Sequence, residues 1–314
     1  MSSTVGRPRL GVRPRVLAVM GPTASGKTTL AVGLAQELGA ELVNGDSRQA
    51  IAELAIGVCK PTPGELKGVA CHGLDWAHLG GSFSVAEYRL LASSAVEEVA
   101  GRGRTAIVVG GTGLYIRALL AGFDFGAVAP NPERVASRPG LTRERVGAAA
   151  LRAELQQLHS SGAATLDLQN PRRLARAVEL ARAGARAGRR APRWRALKLG
   201  CWVSPPVLRS RIEQRSARLV GEPLREEVER LLAAGYSAEL LSRSAIGYAE
   251  VVDWARGACE WDEAVERVVV RTRRYAKAQM TWLRSEPDLV WIDAGAGSAE
   301  IATLIRAVLA AANP

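Results

Sequence analysis

Gly21-Pro22-Thr23-Ala24-Ser25-Gly26-Lys27-Thr28 constrains this chain more than any other stretch. It follows an apolar run, Val16 to Met20, and precedes a helical pattern from Thr28 to Leu38. Between a strand and a helix, G-x-x-x-x-G-K-[ST] forms a phosphate-binding loop, the P-loop. Gly21 and Gly26 let the backbone fold around an anion with several N–H groups pointing inward. The helix start adds its positive end, Lys27 adds a full charge, and Thr28 offers a hydroxyl to Mg²⁺. The motif leaves open whether the bound phosphate is transferred or departs.

The frame this implies is α/β: a P-loop parallel sheet flanked by helices, with a small helical insertion domain. Val16–Met20 reads as a first strand buried on both faces. The next helix places Leu30, Leu34 and Leu38 on one face and stops at Gly39. Glu41–Asn44 is a second strand that delivers Asp46-Ser47-Arg48-Gln49 at its carboxyl end, where ligands sit in doubly wound sheets. Ser84 and Glu87 form a capping box for a helix to about Ala100. Thr105–Val109 is a third strand, ending in Gly110-Gly111-Thr112-Gly113. A hydroxyl framed by three glycines there predicts close approach of the backbone to a ligand.

Past Gly122 the pattern changes. Asp124 to Arg195 is rich in Ala, Arg and Gly, with helical periodicity and no strand signal. A helix begins there at Pro171, and Arg172, Arg173 and Arg176 fall within one turn. Leu197 to Val203 returns to the sheet. Helices follow over Pro206–Val220, Pro223–Ala234 and Trp261–Leu283, then a last strand, Leu289–Asp293, and a closing helix, Ser298–Ala311. Arg273 and Lys277 are four apart and share a face, suited to clamp a diphosphate or to lie on an ordinary surface. The expected division is a flexible basic tail over 1–15, a catalytic core of 16–123 and 196–314, and an insertion over 124–195.

The net charge of +11 asks for a polyanionic partner, tempered by a bias in basic usage. Only Lys27, Lys60, Lys67, Lys198 and Lys277 are lysines, so 37 of the 42 basic residues are arginine. Where a compact ammonium replaces a planar guanidinium, the choice carries meaning. No segment reaches the length of uninterrupted apolar residues that a membrane span needs. The basic start lacks the apolar core of a secretory signal. Cys59, Cys71, Cys201 and Cys259 show no C-x-x-C, and Cys71, His72 and His78 lack a fourth ligand at metal spacing. The expectation is a protein of the reducing cytoplasm, without disulfides or zinc.

A P-loop can serve a kinase, an NTPase, or a transferase that releases diphosphate. The NTPase is disfavoured, because only Asn44–Asp46 offers a strand that ends in an aspartate. A kinase would use Asp46 as base toward a hydroxyl with Arg273 and Lys277 as lid. A diphosphate-releasing enzyme would use the same residues, and the residues alone do not separate the two. The basic insertion, the arginine turn at 172–176 and the net charge lean toward a nucleic-acid substrate.

The ordered set GPTASGKT (21–28), DSRQ (46–49), IG-x-x-KP (56–61), FSVAEY (83–88), VGGTGLYIRALLAG (109–122), RRLARAVE (172–179), IGY-x-E (246–250) and TRRYAKAQMTWLR (272–284) resembles the tRNA dimethylallyltransferase family. The likeness runs from about residue 16 to 290, and as an ordered set it is highly specific. It implies transfer of a dimethylallyl group from dimethylallyl diphosphate to N6 of adenosine 37, with diphosphate leaving. By this resemblance Gly21, Pro22, Thr23, Ala24, Ser25, Gly26, Lys27, Thr28 and Lys277 hold the diphosphate, and Thr28 holds Mg²⁺. Asp46 is the general base, Thr112 helps orient the amine, and Arg273 stabilises the departing charge. Contacts to tRNA are implied at Asp46, Ser47, Arg48, Gln49, Thr112, Arg134, Arg172, Arg173, Arg176, Gly247, Tyr248, Gln279 and Arg284.

The resemblance further implies a cytoplasmic monomer that takes the anticodon stem-loop of tRNA and no membrane. No zinc finger follows the core, as in bacterial members. The chain departs from the family pattern at Ile51, where Tyr is usual, at Asn170, where Asp is common, and at Ala278, where Arg is common. Two rival functions remain distinguishable. A transferase acting on free adenylate has no use for the basic insertion. A non-catalytic P-loop RNA-binding protein has no use for Asp46, Thr112 and Arg273.

Overall fold

The computed structural model describes residues 15–125, 141–158, 171–184, 188–189, 191–294 and 298–311. The expected basic tail, Arg134 and Asn170 fall outside them, apart from Arg15. The chain divides into two compact units, Met1–Leu120 with Pro192–Pro314, and Ala121–Ala191.

The larger unit is built on a six-stranded sheet. Its strands are β1 (Arg15–Met20), β2 (Glu41–Asn44), β3 (Cys71–His72), β4 (Ala106–Gly110), β7 (Arg195–Trp202) and β8 (Leu289–Asp293). Their order is β3-β2-β4-β1-β7-β8, and every pairing is parallel. The pairs Met20↔Gly110, Met20↔Gly200 and Asn44↔Val109 bring the carboxyl ends of four strands to one level. That edge, flanking the central strand, is where such sheets hold ligands. Strand β3, which follows the one-turn helix α2 (Pro63–Leu66), carries too few residues to show alternation, and the sequence pattern does not signal it.

Period-two alternation sorts β1 between two cores. Val16, Ala18 and Met20 pack against α3 (Val85–Gly101) and α4 (Gly113–Leu120), through Tyr88, Val96, Tyr115 and Leu119. Tyr88 and Tyr115 stack there with ring centroids 4.2 Å apart. Leu17 and Val19 face the opposite side, against α1 (Lys27–Leu38) and α12 (Ser298–Ala311), through Leu30, Leu34, Ile301 and Ile305. Each large apolar side chain buried this way contributes about 1.5–3 kcal/mol. Glycine ends α1 as expected, with Gly39 at φ 61°, and Ser84 with Glu87 form the capping box of α3.

A third core belongs to helices α7 (Pro205–Leu219), α8 (Glu222–Ala233), α9 (Ala238–Ser244), α10 (Tyr248–Ala255) and α11 (Trp261–Arg284). Leu224, Val228, Leu231, Tyr248, Val251 and Val268 enclose Leu54. This anchors the segment after Asp46 against the helices. Gly57 lies so close to the Tyr248 ring that a Cβ there would come within 2.3 Å of it. The motifs at 56–61 and 246–250 are thus two halves of one packing contact.

The smaller unit packs α5 (Leu141–Leu158) against α6 (Pro171–Arg182) through Leu155, Leu174, Val178 and Ala181. It also holds a two-residue antiparallel ladder, β5 (Phe123–Asp124) with β6 (Gly188–Arg189), where the sequence signals no strand. The insertion ends at Ala191 rather than at 195, because Trp194 is 3% exposed inside the first core and β7 starts at Arg195.

Candidate active site

The P-loop leaves β1 at Gly21 and enters α1 at Lys27. Ala24 and Gly26 take positive φ, 62° and 87°, which turns the backbone back on itself. A Cβ on Gly21 would sit 2.6 Å from Ser25 Oγ and 2.9 Å from Cys201 Cβ, so no larger residue fits. The Ser25 hydroxyl is fully buried and has no hydrogen-bond partner among the described residues. Lys27 is half-buried, and its Nζ donates to Pro22 O at 3.4 Å. Burial lowers the Lys27 pKa, Asp46 opposes that shift, and Arg215 adds to it. An anion bound in the loop would supply the opposite charge that favours the protonated ammonium.

Asp46 is fixed from several sides. Its N–H donates to Asn44 Oδ1 at 2.9 Å, and Asn44 Nδ2 donates to Asp46 O at 3.0 Å and Gly73 O at 2.9 Å. Asp46 Oδ1 accepts from Arg48 N at 2.9 Å. Thr112 Oγ1 accepts from Ser47 N at 3.0 Å and donates to Ser47 Oγ at 3.2 Å. The Gly45 and Thr112 N–H groups donate to Val109 O and Gly45 O. The carboxylate loop and the glycine loop are therefore one stitched structure, and the Thr112 hydroxyl is engaged within it.

The P-loop and the Asp46 loop open on one cavity of about 280 Å³, lined by Thr23, Lys27, Thr28, Asp46, Arg48, Arg215, Arg271, Tyr275 and Gln279 among others, with Gly110–Gly113 not among its lining residues. Arg215, on α7, donates from Nη1 to Thr23 Oγ1 at 3.4 Å and from Nε to Cys59 Sγ at 3.1 Å. The Tyr275 hydroxyl is pushed up to about 12 by desolvation, with the Asp46 charge adding to it. An anion grip and a carboxylate face the same space. That pairing is the chemistry of a group transfer in which charge builds on a bound phosphate while a proton leaves the acceptor.

Several expected residues stand elsewhere. Arg273 and Lys277 share a face of α11 as their spacing requires, but it is not the cavity face. Arg273 pairs with Glu213 on α7, and Lys277 is exposed. Successive helical residues are 100° apart, so positions 271, 275 and 279 form the cavity stripe and 273 and 277 lie roughly opposite. Tyr248 is fully buried with its hydroxyl on Glu227, and Gly247 is buried at the start of α10. Neither presents a surface to RNA in this structure.

Gln279 is 6% exposed and bridges two loops. Its Oε1 accepts from Thr23 N at 2.8 Å, and its Nε2 donates to Gly111 O at 3.1 Å. The glycines around Thr112 make room for protein rather than ligand. A Cβ on Gly110, Gly111 or Gly113 would come within 2.2 Å of the Gly45 backbone, Gln279 Nε2 or the Trp282 ring, respectively. Gln49 donates to Cys59 O at 2.8 Å, while Arg48 and Arg284 are exposed. In the smaller unit, Arg176 bonds Glu179 at 3.1 Å and Phe125 O at 3.2 Å. The side chains of Arg172 and Arg173 lie outside the described residues.

Sequence reasoning missed Asn44, Arg215, Arg271 and Tyr275. Asn44 reads as an ordinary strand residue. The stripe of Arg271, Tyr275 and Gln279 at intervals of four was available as a signal, as was Arg211 with Arg215 on α7.

A family model described as IPP transferase matches residues 49–286. The chain is similar to the tRNA dimethylallyltransferase of Thermomicrobium roseum, 39% identical over 286 residues that cover 90% of this chain and 87% of that protein. It is 42% identical to that of an Anaeromyxobacter species over 289 residues, covering 88% and 94%. Among solved structures it resembles the full-length tRNA isopentenylpyrophosphate transferase of Bacillus halodurans, with a TM-score of 0.69, 31% identity and 96% of each chain covered. A eukaryotic dimethylallyltransferase acting on tRNA shares the fold, with a TM-score of 0.74 at 20% identity over 96% of this chain and 80% of that one. The matches run through the sheet and the helices that enclose the Asp46 cavity, and the chain belongs to the IPP transferase family of prenyl-transferring enzymes.

Proposed function

We propose that this enzyme transfers a dimethylallyl group from dimethylallyl diphosphate to N6 of adenosine 37 in the anticodon stem-loop of tRNA, releasing diphosphate. One observation carries the reading: Lys27, Thr28 and Arg215 share a 280 Å³ cavity with Asp46. The N6 lone pair forms a bond to C1 of the dimethylallyl group as the C1–O bond breaks. The bonding electrons leave on the diphosphate, and the N6 proton passes to Asp46. Because negative charge builds on the diphosphate, fixed cations and loop N–H groups favour the transition state over the ground state.

Asp46 Oδ1 is held by Arg48 N, and its other oxygen has no partner among the described residues. That second oxygen takes the proton. Thr112 acts through the loop, holding Ser47 beside the base. The adenine has to leave its stack to reach the cavity, and Tyr275, 39% exposed at its rim, offers a ring for it to stack on.

The donors also fit Mg²⁺, which takes one or two protein oxygens beside substrate phosphates. Thr28, whose hydroxyl is on the cavity wall beside Lys27, is the protein oxygen donor that would hold it. Among the described residues no group of three or more His, Cys, Asp or Glu is gathered for an all-protein site. When bound, the ion offsets charge on the departing diphosphate.

Exposed Arg48 and Arg284, together with Arg134, Arg172 and Arg173, supply the backbone contacts in this reading, consistent with a net charge of +11. The enzyme acts as a cytoplasmic monomer, and no helix among the described residues is long and apolar enough to cross a membrane.

The test is incubation of the protein with dimethylallyl diphosphate, Mg²⁺ and an anticodon stem-loop, followed by mass analysis of the nucleosides. The expected result is one dimethylallyl group on adenosine 37, with loss on the order of 10²–10⁴-fold in Asp46→Ala. Modification of free AMP but not of the stem-loop overturns the RNA reading.

A further inference from the structure

Helix α7 carries Arg211, Arg215 and Arg218 at spacings of four and three, on one face. They line a cleft of about 610 Å³ whose other wall is the P-loop and the start of α1, at Ala24, Gly26 and Thr29. This cleft is distinct from the Asp46 cavity, and Arg215 lines both. One guanidinium therefore borders two spaces, with the P-loop contributing to the wall of each.

The three cations lack carboxylate partners among the described residues. Arg211 Nη1 donates to Ser25 O at 3.3 Å, Arg215 Nη1 to Thr23 Oγ1 at 3.4 Å, and Arg218 Nε to Gln214 O at 3.3 Å. Each is a long contact to a neutral oxygen. Arg225 and Arg273, on neighbouring helices, are instead matched by Glu229 and Glu213. Three uncompensated guanidinium groups around one cleft repel one another, and a compact polyanion relieves that repulsion. The planar fork of arginine matches phosphate oxygens in pairs.

We infer that this cleft is a second anion site that takes inorganic diphosphate as it leaves the P-loop, with Arg215 common to both positions. The identity of the anion rests on the function proposed above. The shared arginine and the P-loop wall favour this small product over an RNA backbone, because the reaction generates diphosphate on the other side of that wall.

The test is calorimetric titration of the full chain with inorganic diphosphate in the presence of Mg²⁺. Two equivalents are expected for the unaltered protein and one for Lys27→Ala, which disables the P-loop. Adding Arg211→Ala and Arg218→Ala to Lys27→Ala weakens the remaining equivalent by tenfold or more. Both arginines are exposed, and Arg211→Gln with Arg218→Gln, checked by thermal melting, controls for folding.

A single equivalent that vanishes in Lys27→Ala overturns the inference. So does a pair of arginine variants that spares diphosphate but weakens tRNA binding and flattens its salt dependence, which would make the cleft an RNA-backbone surface. The titration needs no turnover, so failure of the transfer assay and failure of this site are separate results.

Discussion

Asn44 and Asp46 exchange two hydrogen bonds across the single residue Gly45, one from the Asp46 N–H and one from the Asn44 amide. The same amide reaches Gly73 O at 2.9 Å, and Asn44 is 1% exposed. A strand-end side chain thereby sets the position of the proposed base and closes a buried polar network.

Asn44→Ala should release that loop while leaving the P-loop intact. The expected loss in kcat is on the order of 10²-fold, the cost of displacing a reacting group by about 1 Å. KM for dimethylallyl diphosphate should stay within a few-fold, since its grip lies on another loop. Unchanged kcat in steady-state assays would mean that Thr112 and Arg48 suffice to place Asp46.

Gln279→Ala separates a clamp from an RNA contact. The substitution strands the Thr23 N–H and Gly111 O, at about 1–3 kcal/mol for a buried group left unpaired, and loosens the P-loop. Lower stability in urea and weaker diphosphate binding are expected, with the salt dependence of tRNA binding unchanged. A shift confined to tRNA affinity would return Gln279 to the RNA surface.

The strands, the helix ends and the P-loop were legible in the sequence because each rests on local chemistry: apolar runs, glycine at a positive φ, a Ser/Glu capping box. Asp46 was legible because a strand's carboxyl end predicts a site. Helical phase was not. Helix α11 meets α7 on one side and the cavity on another, so its spacing shows that Arg273 and Lys277 go together without showing where. What packs against the glycines around Thr112 and against Tyr248 is not legible for a related reason. Close approach is visible in sequence, but the partner, here Gln279, Trp282 or Gly57, comes from distant parts of the chain.

Glu41, at the amino end of β2 and away from the cavity, gives a stability prediction with a defined pH window. Bonds from Arg102, at 2.7 and 3.0 Å, are the main cause that lowers its carboxyl to about 2, with His72 and Arg104 adding and burial opposing. A lowered folded pKa means the stabilisation is complete above the ordinary value of 4.5 and is lost as pH falls through about 2. Its size is at most roughly 3 kcal/mol, reduced by screening at the half-exposed arginines. Glu41→Gln should flatten the fall in urea-denaturation stability between those pH values and leave turnover near neutral pH unaltered. A variant whose acid profile matches the unaltered protein would remove Glu41 as the cause.

Arg215 and Arg273 make the sharpest contrast, since both are arginines on helices near the P-loop and only one faces the cavity. Arg215 sits against Thr23 with no carboxylate partner among the described residues, so its charge is available to a departing diphosphate. Arg273 is half-exposed and committed to Glu213. Arg215→Ala should cost on the order of 10²–10³-fold in kcat/KM for dimethylallyl diphosphate, the loss seen when one fixed donor to a developing anion is removed. Arg215→Lys should recover only part of it, because an ammonium lacks the paired donors of the fork. Arg273→Ala should cost less than about tenfold, in line with an exposed ion pair. The reverse order in parallel steady-state assays would mean that α11 turns its Arg273 face toward the diphosphate when substrate binds.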